Sequence, residues 1–108
     1  FDGCAKLRNV KVGDGVEIIN MRAFYQCDSL TDIVIGKNVT AIWYNAFQLC
    51  DNLKNVYFVG AKLDCERIEI PDYQSSILST VTWYYYSEDI PSEKGNYWHY
   101  VDGVPTIW

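Results

Sequence analysis

Basic residues are scarce in this chain. Nine lysines and arginines stand against fourteen aspartates and glutamates, a formal net charge of −5. No basic stripe is available to neutralise a phosphate backbone, which argues against nucleic acid as a partner. No apolar run approaches the ~18 residues that a membrane span requires. Histidine occurs once, at His99, and the four cysteines include no C-x-x-C pair, so the clustered ligands of a structural zinc site are missing. No serine or cysteine nucleophile motif accompanies His99, which sits among aromatic residues, and Glu88 and Asp89 are neighbours in one loop rather than a pair facing across a cleft. No residue is therefore assigned a catalytic, cofactor-binding or metal-binding role, and a non-enzymatic function is expected.

What the chain does contain is a period. Cys4, Cys27 and Cys50 are 23 residues apart, and their neighbours keep step: Phe1, Phe24 and Phe47; Leu7, Leu30 and Leu53; Val10, Ile33 and Val56; Val12, Ile35 and Phe58. Val16/Val39, Ile19/Ile42 and Ala23/Ala46 match twice. A fixed period of this length marks a solenoid, in which each repeat buries its apolar face on the next. The chain opens inside a repeat and reads as a fragment, so the lack of a visible signal peptide carries no information about secretion.

Within the unit, Leu-x-x-Ile-x-Ile ends in a period of two, which predicts strands at 9–12, 32–35 and 55–58. The i, i+3 apolar spacing in 23–27 and 46–50 predicts one helical turn each, and 16–19 and 39–42 are expected to form short outer strands. After Phe58 the register fails, but Cys65-x-x-Ile68-x-Ile70 and Leu78-x-x-Val81-x-Trp83 repeat the strand pattern at 12- and 13-residue steps. The expectation is a mainly β solenoid with a parallel sheet of about five strands, occupying residues 1–83, with full repeats to about 58 and trimmed ones over 59–83. Residues 84–108 are aromatic-rich, and Asp102-Gly103 between two β-prone runs signals a type I′ hairpin. This tail is expected to cap the open end of the solenoid core.

Three groups of residues bear on function. Strand alternation puts two columns on the sheet face away from the core: Asn9, Asp32, Asn55, Arg67 and Thr80, and Lys11, Val34, Tyr57, Glu69 and Thr82. All of them but the two threonines are the candidate protein-binding residues. The rings of Tyr97, Trp98, Tyr100 and Trp108 are the alternative, a carbohydrate-stacking platform, with Trp98 and Tyr100 expected to point inward if the tail is a cap. The stacked cysteines are read as core thiols, with one disulfide or a metal as the alternatives.

The unit Ala-Phe-x-x-Cys-x-x-Leu-x-x-Ile-x-Ile over residues 1–58 resembles the BspA-like leucine-rich repeats of bacterial surface proteins. The aromatic segment from Trp83 through Gly103 is similar to a C-terminal cap found in that family. The resemblance implies a leucine-rich-repeat solenoid at the cell surface or outside a bacterium. It also implies contact with a protein, host or matrix, or adhesion, and it carries over no site residues.

If the register is right, Leu30→Asp and Ile33→Asp each place an unpaired charge between two neighbouring repeats, and neither variant should show a cooperative thermal transition. A loss below ~1 kcal/mol would contradict the stacking.

Overall fold

The computed structural model describes residues 1–71, 73 and 76–108. Three strands form where the period-two pattern places them: β1 (Asn9–Val12), β3 (Asp32–Ile35) and β5 (Asn55–Phe58). They pair in parallel with the 23-residue columns in register, Val10 beside Ile33 beside Val56, and Val12 beside Ile35 beside Phe58. Short outer strands β2 (Ile18–Ile19) and β4 (Ala41–Ile42) pair in the same way and are each two residues rather than the four expected. The main core lies between the two sheets, and Cys27, Leu30, Ile33, Ile35, Cys50 and Val56 are fully buried in it. Each fully buried aliphatic side chain of this size contributes roughly 1.5–3 kcal/mol through burial.

The corners over 23–27 and 46–50 are not helical. They are successive turns, broken by left-handed residues at Arg22 and Gln26 and again at Asn45 and Leu49. Their amides cannot all point along one helix axis, because two per corner are passed sideways to the next repeat. The Phe24 N–H donates to the Ala46 carbonyl at 2.8 Å and the Gln26 N–H to the Gln48 carbonyl at 2.8 Å. The phenylalanines stack along this corner, Phe1 on Phe24 at 5.8 Å and Phe24 on Phe47 at 5.3 Å.

After β5 the expected strand order changes. The chain enters α1 (Lys62–Glu66), then the segment of Ile68 and Ile70 joins the outer sheet, where Glu69 bridges Ala41. A 3-10 turn (Ile77–Ser79) precedes β6 (Thr82–Tyr86), which pairs with β5. Trp83 lies beside Val56 and Tyr85 beside Phe58. The fourth main strand thus follows after 27 residues rather than as two steps of 12 and 13. The sequence pattern misleads here because Val81, Trp83 and Tyr85 alternate, so a two-residue shift preserves the apolar face. Residues 72, 74 and 75, within the stretch read as trimmed repeats, lie outside the described residues.

β7 (Tyr97–Val101) adds a fifth parallel strand beside β6, and β8 (Val104–Ile107) returns antiparallel as the edge. Asp102 and Gly103 link them with φ of 52° and 78°, both in the left-handed region that a type I′ turn requires. Trp83 and Tyr85, not the hairpin, pack against the end of the main core, and the Trp83 indole N–H donates to the Leu78 carbonyl at 3.0 Å.

One glycine is required by the stacking itself. A Cβ on Gly36 would fall 2.7 Å from the Gly13 carbonyl oxygen and 2.8 Å from that of Val12, both backbone, whereas a Cβ on Gly13 would meet nothing within 4 Å. Gly36→Ala should therefore lower stability by about 1–3 kcal/mol and Gly13→Ala by less than about 0.5 kcal/mol, read from paired chemical denaturation curves. Equal losses would contradict the close approach of these two turns.

Candidate functional site: the concave sheet face

The sheet curls. Lys11 on β1 brings its Nζ to 5.3 Å from the centre of the Tyr100 ring on β7, four strand steps away. In a flat sheet those strands would be about 19 Å apart. The face opposite the main core is thus the inside of the curve, and it carries both columns expected from strand alternation.

The first column runs Asn9, Asp32, Asn55 and then Thr82. Asp32 is held by two donors, the Asn55 side-chain amide at 2.8 Å on one oxygen and the Thr31 hydroxyl at 2.8 Å on the other. Asn9 and Thr82, at the ends of the row, are exposed. The row is a line of polar groups fixed on a rigid sheet and open to solvent at both ends.

The second column runs Lys11, Val34, Tyr57 and then Tyr84. Its middle is covered. Val34 is 6% exposed and Tyr57 7%, because the tail folds back over them. Trp98 is fully buried there, and its indole N–H donates to the Phe58 carbonyl at 2.8 Å. Its ring lies 5.3 Å from Tyr57, 5.2 Å from Tyr86 and 4.9 Å from Tyr100, tilted or edge-on in each case. Tyr84 stacks on Tyr57 at 5.4 Å. Such arrangements suit the aromatic quadrupole. Burial, with the Asp32 and Tyr84 charges, pushes the Tyr57 hydroxyl above its usual pKa. Among the described residues the Tyr100 hydroxyl is buried without a hydrogen-bond partner.

Arg67 and Glu69 do not continue these columns. Arg67 ends α1 and lies 3.9 Å from Asp64, with both side chains exposed, and Glu69 pairs with the outer sheet. The insertion before β6 carries them to the other side of the solenoid; Thr82, expected at the end of the second column, stands in the first because β6 pairs two residues later than the pattern suggested, and Tyr84 takes the second-column place. The four rings of the carbohydrate alternative also divide. Trp98 and Tyr100 face the concave side, Trp98 enclosed and Tyr100 half-buried. Tyr97 and Trp108 lie apart from that cluster, with Trp108 stacked on His99 at 3.7 Å and bonded through its indole N–H to the Ser87 carbonyl at 2.7 Å. Tyr84 and Tyr86 were not singled out from sequence. The signal was present in Trp83-Tyr84-Tyr85-Tyr86, where alternate rings must go to opposite faces.

The cysteines are all free. Cys27 donates its thiol to the Phe1 carbonyl at 3.2 Å and Cys50 to the Phe24 carbonyl at 2.9 Å. The column thus supplies a small buried donor to the preceding corner, a role that burial alone does not convey. Burial pushes the Cys50 thiol up to about 11, and does the same for Cys65, beside a cavity of about 320 Å³ at the end of the core. Among the described residues, no group of three potential metal ligands comes together, and no helix is long and apolar enough to cross a membrane.

Trp98→Ala should cost about 3–5 kcal/mol in a thermal or denaturant melt, since it empties the centre of the concave cluster. Trp108→Ala, at a ring that is 42% exposed, should cost less than about 1 kcal/mol. A Trp98→Ala variant with the wild-type melt would contradict this packing.

The comparisons with known proteins agree with this architecture. Residues 1–82 match the family described as BspA type leucine rich repeat region, in six copies. No curated protein matches the sequence. Among solved structures, the chain is similar to a leucine rich cell surface protein from Faecalibacterium prausnitzii A2-165, with a TM-score of 0.62 and 32% identity over 64% of this chain. That match spans 18% of the other protein's length. With an in-register 23-residue ladder, a curled parallel sheet and a family match over most of its length, the chain belongs to the BspA-type leucine-rich-repeat family.

Proposed function

We propose that this chain is a non-catalytic contact module that binds a protein through the concave sheet face, on the surface of a bacterial cell or outside it. The partner is a host or matrix protein, and the contact serves adhesion. The observation that carries this reading is the polar row Asn9, Asp32, Asn55 and Thr82, with Asp32 pinned by two hydrogen bonds, lying beside the half-buried rings of Tyr84, Tyr86 and Tyr100. Fixed polar groups next to tyrosine rings match the anatomy of a protein-binding patch, in which aromatic anchors supply contact and the polar groups set register. A surface location is in keeping with the cell-surface protein from Faecalibacterium prausnitzii that shares the fold. We read residues 1–83 as the solenoid and 84–108 as a cap. The cap's buried anchor, Trp98, covers Val34 and Tyr57 in the second column, beside the polar row. A carbohydrate role would rest on Tyr97 and Trp108, because Trp98 has its indole N–H and ring faces engaged.

Binding to a panel of purified extracellular-matrix proteins tests the reading. Asp32→Lys and Asn55→Ala should each weaken any saturable binding, the first by tenfold or more, on the order of 1.4 kcal/mol. Glu17→Lys, at an exposed position outside the sheet face, should leave it unchanged. The opposite ranking, with the melts unaltered, would place the contact elsewhere.

A further inference from the structure

Asp32 carries the charge of the polar row, since its neighbours along it are Asn9, Asn55 and Thr82. Both of its oxygens are held by neutral donors, one by the Asn55 side-chain amide and the other by the Thr31 hydroxyl, each at 2.8 Å. A carboxylate offers about four acceptor positions, two on each oxygen. One position on each oxygen is therefore left, on a half-exposed group whose orientation is already fixed. No cation of the chain takes them. Among the described residues the ion pairs are Arg22 with Asp2 and Arg67 with Asp64, both away from this face. Lys11, the basic residue of the neighbouring column, lies over the ring of Tyr100 instead. A tyrosine pair stands beside the carboxylate. Tyr57 stacks on Tyr84 at 5.4 Å, and its hydroxyl pKa is raised first by burial and then by the Asp32 charge. Tyr57 is covered, whereas Tyr84 keeps part of its ring open.

We propose that the concave face recognises an arginine side chain of its partner protein. The guanidinium donates to both oxygens of Asp32, in the positions that Asn55 and Thr31 leave, and the aliphatic stem runs toward the open ring of Tyr84. The proposal rests on the reading of this face as the contact surface and names the chemistry of the partner, a basic segment that bears arginine. A guanidinium presents two parallel N–H groups in a rigid fork, which fits a fixed carboxylate with one acceptor position free on each oxygen. A lysine ammonium is a point charge and cannot use both positions in that way. A metal ion is a poorer match, because among the described residues no three potential ligands come together. The net charge of −5 draws a basic segment toward the chain.

The test is a titration of the isotopically labelled chain with a blocked pentapeptide of glycine and serine around a central arginine. Matched peptides carry citrulline, which keeps the shape and loses the charge, or lysine, which keeps the charge and loses the fork. The arginine peptide should shift the Asn55 side-chain amide and the backbone amides of Asp32 and Tyr84 saturably. The lysine peptide should bind about threefold more weakly and the citrulline peptide about tenfold more weakly, as expected of a charge-assisted bidentate contact. Asp32→Asn should abolish the response while the amides of β3 and β5 stay protected. Thr31→Val keeps the charge but frees the carboxylate to turn, and should weaken binding about threefold. The peptide arms on the unmodified chain decide the matter even if a variant fails to fold. Three outcomes would overturn the proposal: no saturable shift along the Asp32 row, an equal response to the lysine or the citrulline peptide, or shifts of the same size at the exposed Asp14, Asp28 and Asp51, which mean adventitious ion pairing only. Arginine binding at Asp32 by a chain that retains no matrix protein supports the contact and overturns the adhesion partner alone. Asp32-dependent capture of a matrix protein without an arginine response overturns the arginine contact alone.

Discussion

Parallel main-chain pairing at a fixed offset is the constraint from which most of this molecule follows. Once β1, β3 and β5 are in register, every position meets its own equivalent one strand away. A column must then tolerate itself. Branched aliphatics do so by packing, phenylalanines by stacking at 5.3–5.8 Å, and Cys27 and Cys50 by pointing their thiols at a carbonyl of the preceding corner. Asparagines that do not recur tie one repeat to the one before it: Asn38 donates to the Asp14 carbonyl and Asn52 to that of Asp28, both at 2.7 Å. Where the backbones come closest, at Gly36, no side chain fits. The left-handed corner residues have the same origin, since they turn amides out of the local chain and into the neighbouring repeat.

The solenoid departs from this rule at one place, and the departure shapes the candidate contact surface. The 27-residue interval before β6 sends Glu69, between Ile68 and Ile70, to the outer sheet, and its sequence holds no fourth Phe-x-x-Cys unit. β6 then carries four aromatic residues in a row, two for each face. Trp83 and Tyr85 pack on the main core, while Tyr84 and Tyr86 turn to the concave side and, with Tyr57, form a seat for Trp98. Strand alternation thus gives one short segment two structural roles: ending the repeat core and narrowing the groove inside the curved sheet.

The repeated half of the fold was legible in the sequence because a period leaves many independent matches. Residues 9–12, 32–35 and 55–58 are strands as the alternation required. The Asp102-Gly103 turn was equally legible, since few residues accept two successive positive φ values. The corners were misread because an i, i+3 apolar spacing suits a chain of turns as well as a helix, and the left-handed positions are filled by Arg22, Gln26 and Leu49 rather than glycine. The fourth strand was placed two residues early because Val81, Trp83 and Tyr85 satisfy either register. Of the contact columns, Asn9, Asp32 and Asn55 were readable, and so were Lys11, Val34 and Tyr57. That Val34 and Tyr57 are covered was not, because it depends on a tryptophan 41 residues beyond Tyr57 returning through a fifth strand.

The curl of the sheet brings β1 and β7 together across the concave face, with Lys11 over the ring of Tyr100. A nuclear Overhauser spectrum of the intact chain reads that contact directly. Cross-peaks between the Lys11 side-chain methylenes and the Tyr100 ring protons, with the methylenes shifted upfield by the ring current, are the expected result. Random-coil Lys11 shifts and no cross-peak to Tyr100, in a chain whose β3 and β5 amides are protected, would contradict the curled sheet.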